Sequence, residues 1–252
     1  MSALMTENRR RLDLALVERG LVATRARAQG AIRAGHVLVA GKVVTKPADP
    51  ISEDDEIELL ALEHPYVSRG ALKLVHALDF FALDPAGCVC LDLGASTGGF
   101  TEVLLERGAS SVVAIDVGHG QLAREIAEDE RVRSVEGLNA RDIARELVPE
   151  SISFLVADLS FISLRKALPP ALSLAERGAV LVALIKPQFE AGRENVGKGG
   201  IVRDSALHER ICGDISVWLA DEMGWRVLGL TESPIEGGDG NTEFLIAARH
   251  DR

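Results

Sequence analysis

An open, mostly parallel seven-stranded α/β sheet with an antiparallel last strand, preceded by a small basic α+β module, is the architecture this sequence predicts. Three observations carry it. From residue 88 onward, short apolar runs alternate with helical patterns, as in a chain that winds strand, helix, strand. The first run, Cys88 to Leu93, breaks into the glycine-rich turn GASTGG before a helical pattern resumes at Thr101. Residues 1–48 hold nine Lys or Arg against three acids, a net +6, whereas the whole chain carries −10, which leaves −16 for the remainder. A basic module on an acidic body is the footprint of a phosphate-backbone contact.

In the first module, Leu12, Leu14, Ala15, Leu16, Leu21 and Val22 mark the apolar face of a short helix interrupted by Gly20. Thr24 is placed to cap a second helix, Arg25 to Ala34, whose apolar positions Ala28, Ala31 and Ile32 leave Arg25, Arg27 and Arg33 to solvent. Gly35 closes it. Strands follow at Val37 to Val39, Lys42 to Val44 and Glu56 to Leu60, separated by Ala40-Gly41 and by proline-rich turns. The domains predicted are residues 1–60, a linker over 61–65, and a second domain over 66–252.

The second domain opens with a helix started near Ser68, with Leu72, Val75, Leu78 and Phe81 on its apolar side and Lys73 as a polar member. Strands are predicted at Ser111 to Asp116, Val132 to Val135, Ile152 to Ala157 and Ala179 to Ile185. Ile162 to Ala175 reads as a helix interrupted by Pro169-Pro170. A glycine-rich stretch after Pro187 leads to a helix over Ser205 to Met223. Trp225 to Leu230 and Glu243 to Ala248 are the last two strands, and the segment TESPIEGGDGNT between them is too rich in Gly, Pro and Asp for a crossover helix, so they form an antiparallel pair.

Three chemistries compete for the turn after Leu93. A dinucleotide fingerprint requires glycine where Ser96 stands, and a triphosphate loop requires lysine where Phe100 stands. What remains is the D-x-G-x-x-x-G-G turn of S-adenosylmethionine (AdoMet) enzymes, which here comprises Asp92, Gly94, Ser96, Thr97, Gly98, Gly99 and Phe100. Asp116, ending the next strand about 20 residues later, can accept both ribose hydroxyls of a nucleoside. Asn139, after the third strand, is a candidate for the adenine edge. Asp158 and Lys186 end the fourth and fifth strands at the carboxyl edge of the sheet. The reversal of the last strand brings Glu243 to the same rim, with Lys73. No metal spacing is present. The cysteines, Cys88, Cys90 and Cys212, read as buried thiols.

Over residues 9–60 the motifs R-x-L-D, A-T-R-x-x-A and G-H-V-x-V-x-G-K resemble the S4 RNA-binding domain, which implies phosphate contacts from Arg11, Arg25, Arg27, Arg33 and Lys46. Across nearly the whole chain, Y-V-S-R-G-A-x-K-L (Tyr66 to Leu74), D-L-G-A-S-T-G-G-F-T (Asp92 to Thr101), A-D-L-S-F-I-S-L (Ala157 to Leu164), I-K-P-Q-F-E (Ile185 to Glu190) and G-N-x-E-F-L (Gly240 to Leu245) resemble the TlyA hemolysin family. That family joins an S4 domain to an FtsJ-like ribosomal RNA 2′-O-methyltransferase.

The resemblance implies a class I, Rossmann-like AdoMet methyltransferase with Lys73, Asp158, Lys186 and Glu243 as a catalytic tetrad acting on cytidine. Arg69, Arg193, Lys198 and Arg203 are further candidates to meet the RNA. The expected substrate is ribosomal RNA or a ribosomal subunit, with a lean toward the large one because the chain stops soon after its last strand. A monomer in the cytoplasm is expected: the apolar run Gly178 to Ile185 is far short of the roughly 18 residues needed to span a bilayer, and no apolar leader begins the chain. That shortage also speaks against a pore, and the S4-like module against a small-molecule substrate.

Overall fold

The computed structural model describes residues 9–251 except 23, 34, 61–63, 198, 238 and 239. The chain forms two compact units, residues 1–68 with 123–125, and residues 69–122 with 126–252, so that the start of the helix over Arg124–Ala127 groups with the first. The expected linker falls largely on 61–63, outside the described residues.

In the first unit, β1 (Arg10–Arg11) is followed by α1 (Leu12–Glu18) and α2 (Arg25–Arg33). Then come β2 (Val37–Val39), β3 (Lys42–Val43), β4 (Pro50–Ile51) and β5 (Ile57–Leu59). β1 pairs antiparallel with β4, and the other strands form a sheet of order β3-β2-β5. The two-residue β1–β4 bridge is too short to leave any periodicity in the sequence. Thr24 caps α2 as expected, its hydroxyl accepting from the Arg27 N–H at 3.3 Å. Leu12, Ala15, Leu16, Ala28 and Ile32 form the core with Val37 and Ile51. Leu14 and Leu21, expected on the apolar face, lie 38% and 37% exposed, because Leu14 stands two residues from Leu12 and therefore on the opposite side of a 3.6-residue helix.

The second unit begins with α3 (Ala71–Phe80) and β6 (Val89–Leu93), then α4 (Gly99–Glu106), β7 (Ser111–Asp116), α5 (Arg124–Ala127) and β8 (Val132–Glu136). It continues through β9 (Ile152–Ala157), α6 (Leu164–Leu172), β10 (Ala175–Ile185), α7 (Pro187–Glu190) and α8 (Ser205–Val217) to β11 (Trp225–Glu232) and β12 (Phe244–His250). The seven strands are ordered β11-β12-β10-β9-β6-β7-β8, and β12 runs antiparallel to both of its neighbours. This is the seven-stranded, mostly parallel sheet expected from the sequence, with the reversed strand β12 inside its edge. Both faces of the central strands are covered, so they read as continuous apolar runs rather than alternating ones. Leu91, Leu93, Val113, Leu155 and Leu181 meet Leu164 and Leu168 of α6 and Ile211 and Ile215 of α8.

Several local expectations change. α6 is continuous through Pro169 and Pro170. Pro169 and Pro170 have no N–H to give to the carbonyls of Arg165 and Lys166, both exposed residues, and Leu164, Ala167, Leu168 and Ala171 hold the helix by burial. The buried face of α3 is Ala71, Lys73, Leu74, Ala77 and Leu78, so Lys73 points inward while Leu72 and Val75 are half-buried. α8 ends at Val217 in a wider π turn over Trp218–Glu222. Cys90 and Cys212 are buried and Cys88 is half-buried. Burial pushes the Cys212 thiol up to about 11.

The turn after β6 is set by close approach. Gly94 has φ +83°, and a Cβ there would lie 2.5 Å from the carbonyl oxygen of Asp158. At Gly98 (φ +98°) a Cβ would meet Leu122 at 2.9 Å, so protein packing, rather than room for a ligand, excludes a side chain there. Asp92 lies beneath the turn, fully buried, with Oδ2 accepting from the Thr101 hydroxyl at 2.6 Å and Oδ1 without a hydrogen-bond partner among the described residues. Burial pushes its carboxyl up to about 7; the Thr101 bond opposes this and the charge of Asp158 adds to it.

Gly94→Ala is expected to destabilise the second unit by at least about 2 kcal/mol, combining a left-handed backbone with the carbonyl clash, as read by denaturant unfolding. The raised Asp92 carboxyl means that the folded state keeps a proton the unfolded state gives up above about pH 4. Stability therefore falls as pH rises from about 4 to about 7. Asp92→Asn removes that dependence and melts higher than the parent at pH 8, by up to about 4 kcal/mol of stability.

Candidate active site

The carboxyl ends of β6, β7, β9 and β10 open onto a cavity of about 1180 Å³ walled by Gly94, Ser96, Asp116, Asn139 and Asp158, with Phe161 and Gln188 on the far side. Open parallel sheets bind ligands at this place, where the chain turns to opposite faces from neighbouring strands. The turn residues follow from local rules: Gly94 and Ala95 donate their N–H groups to the carbonyl of Ile115 at 2.8 and 3.1 Å, which folds the turn over β7. Ser96 takes φ +48° and donates its N–H to Asp116 Oδ2 at 2.8 Å. The other Asp116 oxygen accepts from the Gly118 N–H at 2.7 Å. Asp116 thus stands on the cavity wall, oriented by two backbone donors.

Five of the nine residues predicted around a cofactor reach different places from the cavity wall. Asp92 is sealed under the turn, Thr97 is half-buried beside it, and Gly98, Gly99 and Phe100 are buried at the start of α4. The other four, Gly94, Ser96, Asp116 and Asn139, line the cavity. Asn139 caps the short turn Ala140–Asp142, its Oδ1 accepting from the Arg141 N–H at 3.1 Å.

Of the four residues predicted to be catalytic, Asp158 lines the cavity while Lys73, Lys186 and Glu243 are buried behind it, and the four form two ion pairs. Lys73 Nζ lies 2.5 Å from Glu243 Oε2, with the two side chains 9% and 3% exposed. Lys186 Nζ lies 2.6 Å from Asp158 Oδ1, and the Asp158 side chain keeps 22% exposure toward the cavity. Lys186 also donates to the Ser160 hydroxyl at 2.9 Å. Ser160 carries no assignment from its spacing alone, although it sits inside the A-D-L-S-F-I-S-L motif. Asn241, buried two residues before Glu243, accepts from the Val202 N–H and donates to the Gly200 carbonyl, each at 3.0 Å, so the approach to β12 is tied to the segment after α7. Glu190 accepts from the Leu164 N–H at 2.7 Å and burial raises its carboxyl pKa, which fixes the start of α6 behind Ser160 and Phe161.

In the first unit, Arg11 and Arg25 converge on the buried carboxylate of Asp13 and are exposed, as are Arg33 and Lys46. Arg27 is half-buried. In the second unit, Arg69 and Arg203 are exposed, Arg193 belongs to the short turn Arg193–Asn195, and Lys198 lies outside the described residues.

The FtsJ-like methyltransferase family matches residues 66–250 and the S4 domain matches residues 10–57. The chain is 46% identical over 242 residues to the 16S/23S rRNA (cytidine-2'-O)-methyltransferase TlyA of Mycobacterium tuberculosis, covering 96% of this chain and 90% of that protein. It is 43% identical to the Hemolysin A of Brachyspira hyodysenteriae, over 93% of this chain and 98% of that one. A solved structure from Streptococcus thermophilus that bears a hemolysin name superposes with a TM-score of 0.75 at 41% identity, covering 97% of this chain and 90% of the other. Among the described residues no helix is long and apolar enough to cross a membrane. An S4 domain followed by an FtsJ-like methyltransferase domain, aligned along almost its full length with these relatives, makes the chain a member of the TlyA family.

Proposed function

We propose that this protein transfers the methyl group of S-adenosylmethionine to the 2′-hydroxyl of a cytidine ribose in ribosomal RNA, that of the large subunit in the first place. The observation that carries the chemistry is the Lys186 ammonium position, held between Asp158 and Ser160 at the edge of a cavity with two acids on its wall. Those acids suit a cofactor that is cationic at sulfur. Gly94 and Ser96 would lie against its amino acid end, and Asp116 would accept from its ribose hydroxyls. When bound, S-adenosylmethionine supplies an electrophilic methyl carbon.

A ribose hydroxyl is a poor nucleophile until it is aligned and loses its proton. Lys186 Nζ in its neutral form accepts that proton, and Asp158 and Ser160 hold the amine in place. The Lys73–Glu243 pair, sealed at the adjoining edge, keeps Glu243 from standing as an unpaired buried charge and supports the start of β12. The S4 unit supplies affinity for structured RNA, with Arg33 and Lys46 exposed for phosphates. Such a substrate places the protein in the cytoplasm, working as a monomer on the ribosome or its RNA.

Mapping of 2′-O-methyl sites on ribosomal RNA from cells with and without the protein tests the substrate; the loss of a cytidine methylation in the large subunit is the expected result. Lys186→Ala should lower single-turnover transfer by about 10²- to 10⁴-fold while S-adenosylmethionine binding persists. Lys186→Arg should be equally inactive, since a guanidinium keeps its proton; activity in that variant would leave Lys186 a positioning role alone. Asp116→Ala should weaken the cofactor by about 1.5 to 3 kcal/mol in calorimetry.

A further inference from the structure

Asp13 is the one fully buried acid of the described part of the first unit, and it carries an unusual load. Arg11 donates to both of its oxygens, Nε to Oδ1 and Nη2 to Oδ2, each at 2.9 Å. Arg25 Nε and Gln29 Nε2 also donate to Oδ2, each at 2.9 Å. These bonds hold the Asp13 carboxyl well below the usual carboxylate range. The two guanidinium side chains stay 44% and 52% exposed while the carboxylate between them is at 0%. Two cations thus share one anion, and the surplus positive charge faces solvent at a fixed place.

The sequence distances explain why only folding makes this group. Arg11 and Asp13 flank the start of α1, where β1 pairs with β4, and Arg25 and Gln29 lie one turn apart on α2. An acid in the first turn of a helix has an ordinary use against the helix dipole. That use needs neither arginine, and it does not call for complete burial.

We infer that Asp13 is a positioning residue for RNA recognition: its buried carboxylate pre-orders the Arg11 and Arg25 guanidiniums as a fork for backbone phosphate. A free arginine side chain gives up about 2 kcal/mol of rotamer freedom when it is immobilised on a phosphate, and one already tethered through Nε gives up less. Planar guanidinium geometry is essential, because a lysine at either position keeps the charge but has no Nε edge to lay on Asp13 while its far side meets RNA. This inference rests on the reading that the S4 unit binds RNA. It adds a sign that charge alone would not give: deleting a negative charge from an RNA-binding surface should strengthen binding, whereas deleting the tether should weaken it.

The test measures affinity of the full chain for deproteinised ribosomal RNA across a salt series, for Asp13→Asn, Arg25→Ala, Arg25→Lys, Arg11→Ala, and the Asp13→Asn/Arg25→Ala double variant. Asp13→Asn should bind about tenfold more weakly in spite of its extra positive charge. Arg25→Lys should lose nearly as much as Arg25→Ala, and the double variant should lose less than the sum of the single losses. Arg25→Lys changes an exposed side chain and conserves charge, so it decides the matter even if Asp13→Asn fails to fold. Wild-type affinity in Arg25→Lys, equal or tighter binding in folded Asp13→Asn, or additive losses would each overturn the inference while RNA binding by the unit stands. Wild-type affinity in both Arg11→Ala and Arg25→Ala would remove the two arginines from the RNA contact altogether and overturn the inference together with that part of the reading.

Discussion

The contact between the backbone of Gly94 and the carbonyl of Asp158 is the constraint on which the site depends. β6 and β9 are parallel neighbours, and the Asp158 N–H donates to the Leu93 carbonyl at 2.9 Å, so the two chain ends leave the sheet side by side. With a Cβ position only 2.5 Å from that carbonyl, only glycine lets the turn after β6 fold down over the end of β9. The turn then lies beside Asp116 on one flank and Asp158 on the other, which leaves the cavity at the switch between the neighbouring strands β6 and β9.

Charge at this edge is arranged by depth. Asp92 lies below the turn and is sealed from water, and its carboxyl is pushed up to about 7 chiefly by that burial. Asp116 and Asp158 lie on the cavity wall. The charges of Asp158 and Asp116 add to the rise of the Asp92 carboxyl, Asp158 is balanced by Lys186, and Asp116 on the wall is the acid left to favour a positively charged ligand.

The two lysines serve the same edge differently. Lys73 and Glu243 are both nearly inaccessible, and a pair of that kind adds little net stability but leaves a stranded charge if either partner is lost. Lys186 is equally buried, yet its partner Asp158 faces the cavity, so this pair is the one that incoming groups can reach. Lys73 and Glu243, 170 residues apart in the chain, meet only because β12 enters between β10 and β11 against the direction of the others.

Much of this was legible in the sequence because it depends on local rules. Period-2 and continuous apolar runs marked all seven strands of the large sheet, the Gly- and Pro-rich segment before Glu243 implied the reversed strand, and Ser96 and Phe100 excluded two rival ligands by their positions alone. Other features depended on contacts between distant segments and could not be read that way. Lys73 faces inward because β12 brings Glu243 to it, Gly98 is required by Leu122 rather than by a ligand, and α6 survives two prolines because Leu164, Ala167, Leu168 and Ala171 are buried along one face. Asp13 looked like an ordinary acid near a helix start; α2 had to pack on α1 before Arg25 and Gln29 could close over it. What the sequence determined by itself was the order of elements and the chemical types at their ends. The tertiary structure decided which of those groups are paired and which face the cavity, because burial and hydrogen bonding depend on partners whose distance in space their distance along the chain does not reveal.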